Sequence, residues 1–415
     1  MPWEKVKLGD IAASVQTGPF GSQLHQSDYS EFGTPVVMPK DMIGGKILED
    51  SIARVEEQHV NRLSRHQVNV GDILYARRGD VGKCALVTEN EKGWLCGTGC
   101  LKVTIDFSKA NPKFVFYQLQ KPETVGWVEK HAVGATMLNL NTGILESIPL
   151  ELPKLSEQNK IVDILSAYDN LIENNQKQIK LLEEAAQRLY KQWFIDLRFP
   201  GHETTPIVDG LPEGWRKEKL GNVVEYIRGT SYTSSELSDF DGVLMVNLKN
   251  INAFGGYKRN AEKRFTGKYK ENGILEPGDL VMGCTDMTKE RRLVGHVALI
   301  PNLREHAVFT MDLLKLLPKR ISKTFLYAQC RFGGLSYKIS PLANGANVLH
   351  LRPENMADID VLCPDENIVE AFDKVFASMI SKIEKLEDQI QLAAESRDRL
   401  LPKLMCENFV CNMGV

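Results

Sequence analysis

The chain has 415 residues, 43% of them hydrophobic and 25% charged, with a formal net charge of −3. That is too long for one ordinary hydrophobic core, comfortable for two domains, and unlike a disordered or fibrous composition. No run approaches the ~20 apolar residues of a bilayer span, and the opening MPWEKVKLGD lacks an apolar signal core, so a cytoplasmic protein without membrane contact is expected.

The eight cysteines fit that compartment as free thiols. Cys96 and Cys100 stand close, but no further Cys or His pair completes a zinc pattern, so no metal is expected. Charge is uneven: residues 1–155 carry 17 Lys+Arg against 18 Asp+Glu, whereas residues 213–364 carry 22 against 17. Mild basicity in the second half permits contact with DNA without demonstrating it.

Followed along its length, the chain repeats itself. Trp3-x4-Leu8-Gly9 returns as Trp215-x4-Leu220-Gly221, Thr17-Gly18 as Arg228-Gly229, and Gly71-Asp72-Ile73 as Gly278-Asp279-Leu280. Val81-Gly82 returns as Val294-Gly295, and Val133 to Pro153 is echoed by Asn344 to Pro364 at a constant offset of 211. The offset is 207 at the Gly-Asp turns and 213 at the Val-Gly pairs, so the second copy holds six extra residues between them. Strand-like runs flank that window in both copies, which makes it a loop of variable length on a shared frame, where binding residues tend to sit. Asn111-Pro112-Lys113-Phe114 resembles the Asn-Pro-Pro-Tyr/Phe signature of amino-methyltransferases. Its counterpart begins at Ser322 and no cofactor-binding turn accompanies it, so a helix cap with proline in the first turn is the favoured reading.

After each copy the period becomes helical. Ile161, Leu165, Tyr168, Ile172, Asn175, Ile179, Leu182, Ala186, Leu189 and Trp193 alternate spacings of 4 and 3. So do Phe372, Phe376, Met379, Ile383, Leu386, Ile390, Ala393, Arg397, Leu400 and Leu404. These are two coiled-coil seams, each needing a mate. Asn175 in the seam either sets register or faces water at its edge, and Arg397 has the same ambiguity. Ile164, Leu171, Phe194, Val375 and Leu401 are expected on the outer faces, available to a partner. The expected organisation is a recognition domain at 1–155, a helix at 156–197, a linker at 198–212, a second domain at 213–364, a helix at 365–404 and a tail at 405–415. The fold class is α+β: two homologous domains separated by a pair of long antiparallel helices, with approximate two-fold logic.

No constellation for catalysis is visible. A phosphate-binding G-x-x-x-x-G-K-[ST] loop is absent, no nuclease-like acidic set appears, and His296 and His350 do not recur between copies. The whole chain resembles the specificity subunit of a Type I restriction-modification system, through Thr17-Gly-Pro-Phe-Gly-Ser22, the two Gly-Asp turns, Leu189-Tyr-Lys-Gln-Trp-Phe194, Phe199-Pro-Gly-His-Glu203 and Leu211-Pro-Glu-Gly-Trp215. The resemblance implies a non-enzymatic protein whose two target-recognition domains each read half of a bipartite, asymmetric site on double-stranded DNA. It implies helices that set the half-site spacing and dock two modification (methyltransferase) subunits, joined by restriction/translocase subunits. S-adenosylmethionine, ATP and magnesium are then used by those partners, with no cofactor bound by this chain.

Base and phosphate contacts need side chains that donate into a groove. In the first domain Gln23, His25, Gln26, Lys40, Arg77, Arg78 and Lys83 are candidates. In the second they are Arg228, Ser231, Tyr232, Lys249, Asn250, Lys289, Arg291 and Arg292. Two other classes stay open: an enzyme such as a DNA methyltransferase or nuclease with an unrecognised site, and a stand-alone regulatory DNA-binding protein.

Overall fold

The run Ile73–Ala76 is buried at all four positions, and the period of two along a strand explains how. Ile73 and Tyr75 face a core shared with helices, while Leu74 and Ala76 face a second, smaller core. Leu280 and Met282 against Val281 divide in the same way in the second copy. The computed structural model describes residues 3–134 and 138–406. Within the echoed stretch Ala135, Thr136 and Met137, and nearly all of the tail, lie outside the described residues.

The chain forms two compact units, one from Met1–Glu173 with Ile390–Val415 and the other from Asn174–Gln389. The division falls within the long helices. In the first unit one sheet has the order Ala12–Thr17, Cys100–Ile105, Ile73–Ala76, Cys84–Leu86, with antiparallel neighbours. A second sheet runs Tyr29–Ser30, Ala53–Val55, Thr34–Val37, Leu95–Cys96. The second unit repeats both orders, as Val224–Arg228, Leu313–Pro318, Leu280–Gly283, Val297–Leu299 and as Leu237–Ser238, Lys263–Phe265, Val243–Val246, Ala307–Phe309.

The most audible echo in the sequence closes each frame. Glu4–Lys7 pairs antiparallel with Pro149–Leu152, and Arg216–Lys219 with Asp360–Cys363. Trp3, Leu8, Leu150 and Leu152 enter one core, and Trp215, Leu220, Val361 and Cys363 the other. Start and end of each domain are thus stitched together before a helix departs.

The Gly-Asp turns have a shared purpose. Gly71 and Gly278 take φ of +90° and +80°, a left-handed conformation that suits glycine. The following carboxylates are buried: Asp72 accepts from the Asn69 N–H at 2.8 Å and the Thr104 hydroxyl at 2.6 Å, and Asp279 from the Glu276 N–H at 2.9 Å. Each faces a lysine of the central strand. Lys315 reaches Asp279 at 2.5 Å, while Lys102 stands 4.0 Å from Asp72 and donates to the Gln67 and Arg65 carbonyls.

Asn111 caps the helix Pro112–Leu119, its Oδ1 accepting from the Lys113 and Phe114 N–H groups, and Ser322 caps Lys323–Phe332. Its amide nitrogen is engaged as well, donating to Asn159 Oδ1 at 2.8 Å. The methyltransferase-like tetrapeptide is a helix start.

The long helices run Leu155–Tyr190, continued by a π turn at Lys191–Ile195, and Glu366–Leu404. Every seam position from Ile161 to Trp193 and from Phe372 to Leu404 is buried or half-buried. Within each unit the two segments are antiparallel. In the first, Arg397 binds Asp169 at 2.9 Å while Leu404 shares a core with Ile161 and Leu165. In the second, Asn175 donates to Gln389 at 3.1 Å, and Tyr190, Trp193 and Phe194 surround Phe372. Asn175 is buried and paired, so it belongs to the seam and not to its edge.

Two expectations are corrected. Phe194 is 6% exposed, its ring 4.7 Å from that of Phe325 and 5.0 Å from that of Phe372, and Leu401 packs on the first core; the π turn rotates Phe194 inward, away from any partner. The linker 198–212 is structured. Phe199 is buried, and Ile207–Val208 pairs with Leu211–Pro212 around Asp209-Gly210, both at positive φ, the arrangement a two-residue hairpin turn requires.

Removing one member of a buried ion pair strands the other. Lys102→Met and Lys315→Met should each lower unfolding stability by about 3–5 kcal/mol in denaturant titrations. Burial pushes the Asp279 carboxyl up, but the Lys315 bond, the Glu276 N–H and Lys323 together hold it below the ordinary value. Its contribution is therefore present above the unfolded carboxylate pKa of about 3.9 and is lost as pH falls through the lower folded value. Stability measured across that acidic window should fall less steeply in Asp279→Asn.

Candidate nucleic-acid interface

Strands of both sheets in the first unit deliver their loops to one place. Gly18 donates to the Cys100 carbonyl at 2.9 Å, Gly97 to Val37 at 2.9 Å and Arg77 to Gly99 at 2.8 Å. A Cβ on Gly18 would stand 1.8 Å from the Gly97 oxygen, and one on Gly97 2.5 Å from the Val37 oxygen. Glycine is required there because three backbones touch.

At that junction Arg77 meets Phe20, and Lys40 and Lys83 stand near Asp41. The Arg77 guanidinium lies 5.8 Å from the centre of the exposed Phe20 ring, a cation–π contact. Asp41 is buried beneath; burial raises its carboxyl pKa, only partly offset by the Met38 N–H and the charges of Lys40 and Lys83. Arg78 is exposed, in a bridge with Asn139. Gln23 spends its Oε1 on the Phe20 N–H, stiffening the turn. His25 and Gln26 follow in an exposed short turn, the His25 N–H held by Asp28.

The second unit places equivalent backbone at the equivalent point. Cys284 donates to Asp312 and accepts from Leu351 as Arg77 donates to Gly99 and accepts from Leu140. A cysteine thus stands where the first unit has arginine. Thr230 donates to Phe309 at 2.7 Å, and Ser231 Oγ lies 3.4 Å from Met311 Sδ. Arg228 and Lys249 are exposed; Tyr232 is half-buried and holds Lys263 over its ring at 5.2 Å.

Asn250 is a correction. It is 0% exposed, its amide donates to the Lys258 carbonyl and Glu262, and its Oδ1 accepts from the Asn247 N–H. With its amide committed inside the fold it cannot read a base edge. Its counterpart Asp41 likewise accepts the Met38 N–H, so this position shapes the turn from which Lys40 or Lys249 projects.

Sequence reading missed what holds the longer loop. Asp286 is fully buried, and its two oxygens accept four hydrogen bonds: Thr288 N–H and hydroxyl on one, Leu293 and Val294 N–H on the other. Burial pushes this carboxyl up, but the bonds from Leu293, Thr288 and Val294 prevail and hold it below the ordinary range. Asp286-x-Thr288 is an Asx-turn pattern, so the signal was there. The loop presents exposed Met287, Lys289 and Arg292, while Arg291, at φ +53°, reaches the Ala343 carbonyl at 3.5 Å.

Asp286→Asn would turn an amide N–H₂ toward either the Thr288 donors or the Leu293 and Val294 donors, a penalty of about 1–3 kcal/mol. The expected outcome is a loop over residues 287–292 cut faster by protease, with the rest of the second unit unchanged.

Residues 1–184 match the Type I restriction modification DNA specificity domain. The Type I restriction enzyme MjaIX specificity subunit of Methanocaldococcus jannaschii is 24% identical, the match spanning 97% of this chain and 92% of that one. The MjaVIII specificity subunit of the same organism is 25% identical over 96% and 92%. The crystal structure of a Type I restriction-modification system S subunit from M. genitalium superposes with a TM-score of 0.63 at 15% identity, covering 98% of this chain and 96% of the other, which establishes the shared fold. With the duplicated frame and its differing loops, these matches show that residues 1–184 are similar to the Type I restriction modification DNA specificity domain and that nearly the whole chain is similar to specificity subunits of Type I restriction enzymes.

Proposed function

We propose that each unit reads one half of a bipartite, asymmetric site on double-stranded DNA, and that the chain itself performs no catalysis. One observation carries the reading: a single backbone frame occurs twice and is tipped with different side chains at equivalent points, Arg77 and Arg78 in one unit, Cys284 and Thr285 in the other. Two equal frames suit one kind of approach to a duplex, and unequal tips suit two different sequences. Arg77, Arg78, Lys40 and Lys83 on one side and Arg228, Lys249, Lys289, Arg291 and Arg292 on the other supply charge for phosphates and donors for groove edges. Gln23, His25, Gln26, Ser231 and Tyr232 flank them.

In this reading the chain gives an address to two modification subunits and to restriction/translocase subunits, all in the cytoplasm. S-adenosylmethionine, ATP and magnesium belong to those partners. No helix among the described residues is long and apolar enough to cross a membrane.

The test combines the purified chain with its modification subunit. Alone, the chain should transfer no methyl group from S-adenosylmethionine; with the subunit, adenine methylation should appear at one bipartite site. Methyl transfer by the chain alone would favour an enzyme, and stable site-specific binding with no assembly would favour a stand-alone regulator. Arg291→Ala with Arg292→Ala should weaken site binding by at least ~1 kcal/mol and lower its salt dependence. Affinity and salt slope both unchanged would remove that loop from the interface.

A further inference from the structure

Both units hold an aromatic ring out in water at the same turn. Ser30 pairs with Arg54 and Ser238 with Arg264, and from these serines the chain turns through Glu31-Phe32-Gly33 in one unit and Asp239-Phe240-Asp241-Gly242 in the other. Phe32 is 80% exposed and Phe240 87%. Single exposed apolar side chains are ordinary on protein surfaces. The repetition is what calls for a cause.

The turns differ by one residue, yet their fittings agree. Gly33 and Gly242 sit at φ +116° and +94°, where a Cβ would come within 2.2 and 2.1 Å of the Val55 and Phe265 carbonyl oxygens. Their own carbonyls accept from Arg54 at 2.9 Å and Arg264 at 3.1 Å, and those arginines are tied to Glu49 and Glu305. A clamped glycine and an engaged arginine thus display the phenylalanine rigidly in both places.

Two features point away from DNA. The strands Thr34–Val37 and Val243–Val246 lead from these turns to the segments bearing Lys40 and Lys249. The rings therefore lie a strand's length, about 13 Å, from the candidate DNA edge. Exposed carboxylates flank them, Glu31 in one unit and Asp239 and Asp241 in the other, where phosphates would be repelled.

We infer that Phe32 and Phe240 anchor one kind of protein partner bound in two copies, each copy offering an apolar pocket rimmed by lysine or arginine. What reads DNA differs between the units; what is alike in both serves something common to both. The inference rests on the function proposed above and assigns the pocket to the modification subunit.

Phe32→Ala, Phe240→Ala and the double variant, each as the full chain, are titrated with purified modification subunit by native mass spectrometry and sedimentation. Each single variant should weaken one of two binding steps at least tenfold, and the double variant both, with DNA affinity of the chain alone unchanged. Asp239→Lys with Asp241→Lys should weaken the step at the second unit and reverse its salt dependence. Equal assembly by wild type and double variant overturns the inference, as does loss of DNA affinity in the chain alone, which would make the rings DNA wedges. Self-association abolished by the double variant, with subunit binding intact, overturns it in favour of a second copy of the chain. Failure of the wild-type chain to assemble would instead strike the proposed function itself.

Discussion

A buried carboxylate facing a buried or half-buried lysine underlies each frame. Charges taken out of water repay their desolvation only when their bonds are complete, and here they are. Asp72 has the Asn69 N–H and the Thr104 hydroxyl beside Lys102, and Lys102 has two carbonyls; Asp279 has the Glu276 N–H, Lys315 and Lys323. The pair pins the start of the strand Ile73–Ala76, or Leu280–Gly283, to the central strand of its sheet. The far end of that strand opens into residues 77–83 or 284–292. A loop launched from a fixed strand can change length and charge without disturbing what lies behind it.

That freedom has a local condition, met differently in the two units. The short loop is held by its bridges to residues 138–140 and by backbone bonds of its own, from Val81 to Gly79 and from Lys83 to Asp80. The longer one would expose several unpaired N–H groups, and Asp286 accepts them instead. The longer loop is thus accompanied by a buried anion that accepts from Thr288, Leu293 and Val294. Three touching backbones at Gly18, Gly97 and Cys100 show the same logic at smaller scale, where absence of side chains lets two loops share one edge.

The helices add polar pairs within an apolar seam. Asn175 with Gln389, and Arg397 with Asp169, each tie opposing segments at one register inside a single unit. A lone polar group in a seam costs stability unless its partner is opposite, so any slip of one turn is penalised. The aromatic cluster of Tyr190, Trp193, Phe194, Phe325 and Phe372 then joins helices to the sheet domain of the second unit.

Sequence alone was enough for whatever depends on periodicity or on local backbone chemistry. The seams from Ile161 and Phe372, the caps at Asn111 and Ser322, the Gly-Asp turns and the repeated frame all follow from spacing, because burial of a helix stripe or a strand face recurs with a fixed period. Tertiary structure decided whatever depends on residues distant in the chain. Asn250 reads as a surface amide until Glu262 and the Lys258 carbonyl close over it, and Phe194 reads as an outer-face residue until a π turn rotates it onto Phe372. The hairpin around Asp209-Gly210 lay hidden behind prolines and glycines that also mark linkers. That Arg77 lies over Phe20 was likewise set by the meeting of distant loops, since side-chain type carries no record of which neighbours a fold will supply.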